Sequence, residues 1–299
     1  MKWLIKNPAP MDERLTKWGD YHFGNSLTKY LQMLGQEVES DYYGKWYNQK
    51  KAEVTLVLRG KFRYKVKKEG FHVIWVISHP EDVSKKELNS YDLIFVASKK
   101  HAQMLESKLN RPVYPLLQCT DTELFKPTES IEAASRSDFI FVGNSRGIKR
   151  KSVFWAIKAG VPLKVWGRHW DRWIDETVLV DKYIMNHQLP GLYRRAKVTF
   201  NDHWPDMLRL GYINNRIFDA LACGLPVISD FQEALEELFP GVILTYRKKK
   251  EFMDCIEQLL RSYPLVLERT QQAGKEVQKN HSFRNRAKVL VELVGQHYA

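Results

Sequence analysis

The sequence predicts an α/β protein made of two doubly wound, Rossmann-like domains. Three observations carry that reading. β-rich runs alternate with helical stretches along the whole chain, several of those runs are apolar at every position, and one polar stretch, KPTESIEAASRS at 126–137, interrupts the alternation near the middle. An unbroken apolar strand such as VIWVI (73–77) suits a sheet covered on both faces. The 299 residues suffice for two such domains, and 44% hydrophobic content with 12% aromatics belongs to a chain with a core to bury.

In chain order, residues 2–6, 54–59, 71–78, 92–97 and 113–117 read as strands, rich in Val, Ile, Leu and aromatics, with helices over 25–34 and 99–109. They define a first domain at 1–125, followed by the polar linker at 126–137. A second domain at 138–280 takes strands at 139–142, 163–165, 178–180, 198–200, 227–229 and 242–244, with late helices at 250–262 and 264–279. A last helix at 283–297 occupies the segment 281–299. MKWLIKNPAP sets only three apolar residues between charges, which reads as a first strand and not a signal peptide. No apolar run approaches the roughly 18–20 residues that span a bilayer. Cys119, Cys223 and Cys255 are odd in number and far apart, the pattern of free thiols in a reducing compartment, so a cytoplasmic location is expected. Two open sheets facing each other leave a cleft at the carboxyl ends of their strands, where ligands of such sheets bind.

The net charge is +12 and uneven: residues 45–70 hold nine basic residues against two acidic ones. Nucleic acid, an anionic membrane surface, a phosphate-bearing substrate or plain solubility would each account for it. Within this window KFRYKVK (61–67) alternates Lys61, Arg63, Lys65 and Lys67 with Phe62, Tyr64 and Val66. In an extended segment the four cations share one face; in a helical crossover they spread around it.

The most informative stretch is VTFNDHWPDMLRLGYINNRIFDALACGLPVISD (198–230). A short strand passes through a Gly-containing loop into a helix at 215–222, closed by Gly224, and then into a second buried strand. The first amides of such a helix point outward and favour an anion by roughly 0.3–1 kcal/mol. Asn214 and Asn215 are natural capping residues, Arg216 lies in the first turn, and Asp219 follows one turn on; Arg216 and Asp219 also have the spacing of a surface salt bridge. FVGNSRGIKRK (141–151) repeats the theme with a strand, the glycine turn at Gly143, and a helix beginning near Lys149. Cations at a helix start oppose the dipole, which favours a bound anion there.

FDALACGLPVISD resembles the "(F)EAMACG-PVI" signature of retaining, sugar-nucleotide-dependent glycosyltransferases of the GT-B fold, and the preceding NNR is nearest to their CgeB-like branch. PLLQCTDTELFKP (115–127) is similar to that family's exit from the first domain. The resemblance implies a nucleotide-sugar donor bound by the C-terminal half, with Asp219 holding the ribose hydroxyls, and a final helix that crosses back to the N-terminal domain. FVGNSRGIKRK resembles the family's "F-V-G-R-x(4)-K" loop, whose Arg and Lys neutralise the leaving diphosphate. Asn144 stands in the Arg position, Arg146 lies two residues late, and Lys149 falls where the Lys is expected; Arg150 is the alternative. HQLPGLYRRAKV (187–198) is similar to the segment beside the nucleotide base, where Tyr193, like Trp170, is expected to pack the core. The Glu that the family often carries eight positions before the signature acid is replaced here by Gly211. His79, beyond the 73–77 strand, is placed like the family's donor-sugar histidine. GDYHFGNSL (19–27) reads as a glycine-bearing loop ahead of the first helix, with Gly24 and Asn25 on the acceptor side or Asn25 as a cap.

The expected activity is transfer of a sugar from a nucleoside diphosphate to a glycan, lipid-linked or other acceptor, with retention. No metal and no cofactor beyond the donor are expected, since no DxD, HExxH, Walker A or CxxC pattern is present. A sugar-nucleotide epimerase would bind the same donor without an acceptor. A nucleic-acid-binding protein would rely on 45–68; the phosphate-loop pattern in the opposite half argues against it. A peripheral contact with the inner face of an anionic membrane fits the basic window.

Overall fold

A computed structural model describes residues 1–48, 50–67, 69–127, 136 and 138–298. The chain divides into two compact units: Met1–Cys119 with Trp204–Asn214 and His281–Ala299, and Thr120–His203 with Asn215–Asn280. Of the expected linker at 126–137, only Lys126, Pro127 and Arg136 lie among the described residues. Residues 204–214, which the sequence reading assigned to the second domain, belong to unit 1.

Unit 1 contains β1 (Lys2–Pro10), α1 (Gly19–Met33), β2 (Glu37–Tyr43), β3 (Val54–Arg59), β4 (Phe71–Val76), α2 (Lys85–Leu88), β5 (Leu93–Val96), α3 (Lys99–Glu106) and β6 (Val113–Pro115), joined later by α6 (Pro205–Leu210) and α11 (Phe283–Tyr298). The six strands form one parallel sheet in the order β2-β1-β3-β4-β5-β6. VIWVI shows why the sheet needs apolar residues throughout: Val73, Trp75 and Ile77 enter the cluster with Phe23, Leu27 and Phe283 of α1 and α11, while Ile74 and Val76 enter the opposite one with Tyr64, Tyr91, Met207 and Tyr212. The α1–α11 contact centres on Phe23 and Phe283, edge to face at 4.7 Å. The 19–27 segment is not a loop. It forms the first turns of α1, because Gly24 lets the helix press onto β1; a Cβ there would stand 2.2 Å from Asn7 Nδ2.

Unit 2 contains β7 (Asp138–Val142), α4 (Lys151–Lys158), β8 (Leu163–Trp166), β9 (Leu179–Asp181), α5 (Leu189–Arg195), β10 (Ala196–Asn201), α7 (Asn215–Ala222), β11 (Val227–Asp230), α8 (Glu233–Leu238), β12 (Leu244–Tyr246), α9 (Lys249–Arg261) and α10 (Tyr263–Asn280). Its parallel sheet runs β12-β11-β10-β7-β8-β9, the doubly wound dinucleotide-binding order, so direction reverses between β7 and β10. Phe139, Phe141, Val198, Phe200 and Trp170 fill one core, and Tyr193 is also buried, as core packing requires. α10 lies against α7 at Gly274, where a Cβ would meet the Leu221 carbonyl oxygen at 2.5 Å. The helix expected near Lys149 begins at Lys151, leaving 143–150 as loop.

β2 escaped the sequence reading because EVESDYY carries few apolar residues; of its seven positions only Val38 and Asp41 are buried. Asp41 is inside because Lys6, its register partner on β1, is buried too: Lys6 Nζ lies 2.7 Å from Asp41 Oδ2 and 2.5 Å from the Trp46 carbonyl oxygen. Burial lowers the Lys6 pKa and Asp41 opposes that shift. Removing one member of such a pair strands a charge and costs about 3–5 kcal/mol, whereas an apolar pair is tolerated. Asp41→Leu is therefore expected to lower unfolding stability by about 3 kcal/mol, and Lys6→Met/Asp41→Leu to recover much of it. Denaturant titration of both variants checks this; a double variant less stable than Asp41→Leu would contradict the assignment.

Candidate anion site in unit 2

The candidate site sits at the carboxyl edge of the unit 2 sheet, where the strand order reverses between β7 and β10. β7 ends in the loop Gly143–Arg150 and β10 ends at Asn201–Asp202. Gly143 leaves room for two guanidiniums: a Cβ on it would meet Arg216 Nη2 at 2.9 Å and Arg150 Nη1 at 3.4 Å. Gly167, after β8, packs against the same turn, and its Cβ would stand 2.2 Å from the Gly143 carbonyl oxygen. Asn144 fastens the loop by accepting from the Arg168 amide at 2.7 Å through its side chain and from Arg150 Nη1 at 2.8 Å through its carbonyl. It ties the turn together, in the position where the family resemblance would put a cation.

Arg150 is buried, stacks over Phe141 at 4.4 Å, and binds Asp202 through Nε at 3.0 Å and through Nη2. Arg146 adopts the left-handed backbone (φ 64°) and reaches the same carboxylate at 3.5 Å. Arg216, from the first turn of α7, donates to Asn201 Oδ1 at 2.9 Å and also lies over Phe141, at 5.7 Å. Three guanidiniums thus converge where Asp202 is the ion-paired carboxylate. Burial first, then Arg150, pushes Arg146 down to about 9, and the same two causes lower Arg216. Lys149 lies elsewhere: it is exposed, its ammonium 4.9 Å and 5.6 Å from the ring centres of Phe154 and Trp173.

A hydrogen-bonded chain orders this edge. Asn201 Nδ2 donates to Ser229 Oγ at 2.9 Å, Ser229 Oγ to Asp230 at 3.1 Å, and the Asp230 carboxylate meets His203 Nδ1 at 2.6 Å, with Gln232 on the far nitrogen of His203 at 3.1 Å. Burial works against ionisation of Asp230, but His203 and Ser229 hold its pKa below the usual value. Asn201, Asp202, Ser229, Asp230 and Thr120 escaped the sequence reading as site residues. The available signal was positional, a polar residue at the carboxyl end of an apolar parallel strand.

Asp219 and Arg216 do not form the surface salt bridge that their spacing allows. Asp219 is buried, accepting from Thr120 Oγ1 at 2.6 Å and from Asn215 Nδ2 at 3.1 Å. Asn214 ends the unit 1 segment and Asn215 opens α7.

In unit 1, His79 holds a left-handed backbone (φ 49°) ahead of the turn at Pro80–Asp82; its Nδ1 is 3.0 Å from Ser78 Oγ and its ring lies 5.4 Å from that of Trp204. Arg59 fixes the neighbouring loops through the Gly60 and Asp82 carbonyls at 2.5 and 2.9 Å and through Glu87 at 2.8 Å. Asn25 is inside α1, where its Oδ1 accepts from Tyr42 Oη at 3.3 Å, so it is not a cap. Asp20, also of α1, has its pKa raised to about 6 by burial. Among the described residues, no group of three His, Cys, Asp or Glu side chains is arranged to hold a metal ion, and no helix is long and apolar enough to cross a membrane.

Burial raises the Asp219 pKa to about 7, with Thr120 and Arg216 opposing. The folded protein therefore holds this proton more tightly than the unfolded chain, and stability falls as pH rises from about 4 to about 7, then levels. Asp219→Asn removes that titration. Its stability relative to the parent is expected to rise over that interval by at most about 4 kcal/mol; a pH-independent difference would contradict it.

Residues 150–292 match a family model described as glycosyl transferase-like. No curated protein matches the sequence. Solved structures resemble the chain over 99% of its length: a sucrose-phosphate synthase from Thermosynechococcus elongatus (TM-score 0.70, 13% identity, 98% of that chain), the Anabaena protein HepE in complex with UDP-glucose (0.70, 11%, 100%), and a glycosyltransferase from Rickettsia africae (0.66, 13%, 98%). The chain has the GT-B fold of these glycosyltransferases, two parallel six-stranded sheets each flanked by helices.

Proposed function

We propose that the protein is a glycosyltransferase that binds the diphosphate of a nucleotide sugar at Arg146, Arg150 and Arg216. The observation that carries this is the convergence of three largely buried guanidiniums at the strand-order reversal, two of them on the Asp202 carboxylate and the third, Arg216, on Asn201. The glycosyl transferase-like match over 150–292 supports the class of reaction, and the UDP-glucose bound to the similarly folded HepE supports a nucleoside-diphosphate sugar as donor.

The bond from the anomeric carbon to the diphosphate oxygen breaks with its electron pair left on that oxygen, an acceptor hydroxyl oxygen bonds to that carbon, and the hydroxyl proton passes to the departing diphosphate. Negative charge builds on the leaving diphosphate. Preplaced guanidiniums stabilise that charge where it develops, without reorganising and without a metal ion in the role. The first amides of α7 add to the same field. Asp219, fixed by Thr120 and Asn215, retains lone pairs for ribose hydroxyls. Retention of configuration and membership of the CgeB-like branch belong to the proposal through the motif resemblance. His79 is its donor-sugar contact and Gly24 and Asn25 its acceptor-side residues, with a glycan or lipid-linked acceptor; three buried cysteines support a reducing, cytoplasmic setting.

A thermal-shift panel tests donor binding. At a hundredfold excess over Kd a nucleoside diphosphate is expected to raise Tm by about 5 °C, the bare nucleoside by much less, and Arg216→Ala to lose the difference. Equal shifts with nucleoside and diphosphate, or none, would overturn the reading. In turnover assays Arg146→Ala is expected to lose on the order of a hundredfold and Lys149→Ala less, given its place over Phe154 and Trp173. An epimerised sugar nucleotide formed without acceptor would move the assignment to an epimerase.

A further inference from the structure

The crossover from β3 to β4 carries a feature that sugar transfer does not use. A parallel crossover must return the chain from the carboxyl to the amino edge of the sheet, commonly through a helix. Here residues 61–67 form neither helix nor strand, with a bend at 61–62, and the alternation in the sequence becomes an alternation in exposure: Lys61, Arg63, Lys65 and Lys67 are exposed, while Tyr64 is buried and Phe62 and Val66 half-buried. At 3.2–3.4 Å per residue at full extension, the four cations span at most about 20 Å.

The row is pinned by ring stacking and hydrogen bonds. Tyr43 stacks on Phe62 at 4.0 Å with planes 9° apart, and Tyr47 stacks on Tyr64 at 5.3 Å with planes 10° apart. The Lys65 amide donates to Tyr47 Oη at 2.8 Å, and Tyr91 Oη donates to the Tyr64 carbonyl at 3.3 Å. The backbone that presents the cations is therefore ordered, so binding through them need not pay for ordering it. Among the described residues, Lys61, Lys65, Lys67 and the neighbouring Lys45 make no ion pair, and Arg63 approaches Glu87 only at 3.7 Å.

Beside the row stand exposed amphipathic groups: Tyr43 and Tyr47 are 41% and 50% exposed, and Met11, whose amide donates to the Tyr43 carbonyl, is 53% exposed. Half-exposed tyrosines next to lysines on long stems match the headgroup layer of a bilayer. A single-stranded nucleic acid would instead use open aromatic faces as stacking platforms, and one face of each tyrosine here is already covered by Phe62 or Tyr64.

We propose that the Lys61–Lys67 row, flanked by Met11, Tyr43 and Tyr47, docks unit 1 peripherally on an anionic lipid surface. The inference stands apart from the assignment of the unit 2 site. Each basic residue near such a surface is worth about fivefold in partition, fading with salt.

Co-sedimentation of the full chain with phosphatidylcholine vesicles, with and without about 30% phosphatidylglycerol, tests it. The parent is expected to bind only the anionic vesicles and to be released at about 0.5 M salt. Replacing Lys61, Arg63, Lys65 and Lys67 with Ser is expected to weaken binding at least about a hundredfold. The pair Lys65→Ser/Lys67→Ser, which leaves the Phe62 end untouched, should weaken it by an intermediate factor. Replacing the exposed Lys249, Lys275, Lys279 and Lys288 with Ser removes the same charge and should leave binding within a few-fold. An equal loss in that control, unaltered binding by the row variant, or a parent that ignores anionic vesicles while binding a single-stranded oligonucleotide would each overturn the proposal. Diphosphate thermal shifts that persist in the row variant separate this outcome from failure of the donor site.

Discussion

Arg146 and Arg150 share the carboxylate of Asp202, with the Arg216 guanidinium beside them over Phe141, at a place from which water is largely withdrawn. An under-compensated buried cation is costly, and the arrangement persists only because neighbouring parts hold it. Phe141 supplies a ring face to Arg150 and Arg216, Asn201 accepts from Arg216, and the absence of a side chain at Gly143 gives the same two guanidiniums space. Asn201 is itself oriented by Ser229 on the adjacent strand, so the edge chain that ends at Asp230 and His203 bears on where Arg216 points. In the proposed reading, an anion that enters here meets guanidiniums already held in place, which is the physical content of the donor-site assignment.

Unit 1 uses buried charge differently. Lys6–Asp41 and Arg59–Glu87 are paired within the fold, and their remaining hydrogen bonds go to backbone carbonyls. The first ties the edge strand β2 to β1. The second fixes Gly60 and the turn after His79, which lets the strained His79 backbone persist. Neither pair is short of negative charge, so neither calls for a ligand.

Much of the architecture was legible because burial on two faces leaves a signature in every strand, as at 73–77 and 139–142. Edge strand β2 was not, since its one buried charge makes sense only once Lys6 is known to lie opposite. α7 was legible from the Asn215 cap position and its terminal glycine. The 19–27 segment misled because glycine signals a turn, whereas Gly24 serves the close approach of a helix to Asn7. At the site, local motif spacing pointed to Arg146 and Arg216, and Arg150 stood as the alternative to Lys149. It did not find Asp202, Asn201 or Thr120, because their roles arise from strand adjacency across 15 to 99 positions of sequence.

The two cationic features divide along the chemistry of arginine and lysine. The buried cluster is made of arginines, whose planar, weakly hydrated guanidiniums stack on Phe141 and keep directed hydrogen bonds out of water. The exposed row is three lysines and one arginine, strongly hydrated charges on flexible stems that suit a diffuse anionic surface. Salt should therefore separate them. Charges on an exposed row are screened within about 10 Å at 0.1 M, while groups at the carboxyl edge of the unit 2 sheet are shielded by protein and feel added ions far less. An interaction that survives high salt belongs to the arginines, and one that vanishes belongs to the row.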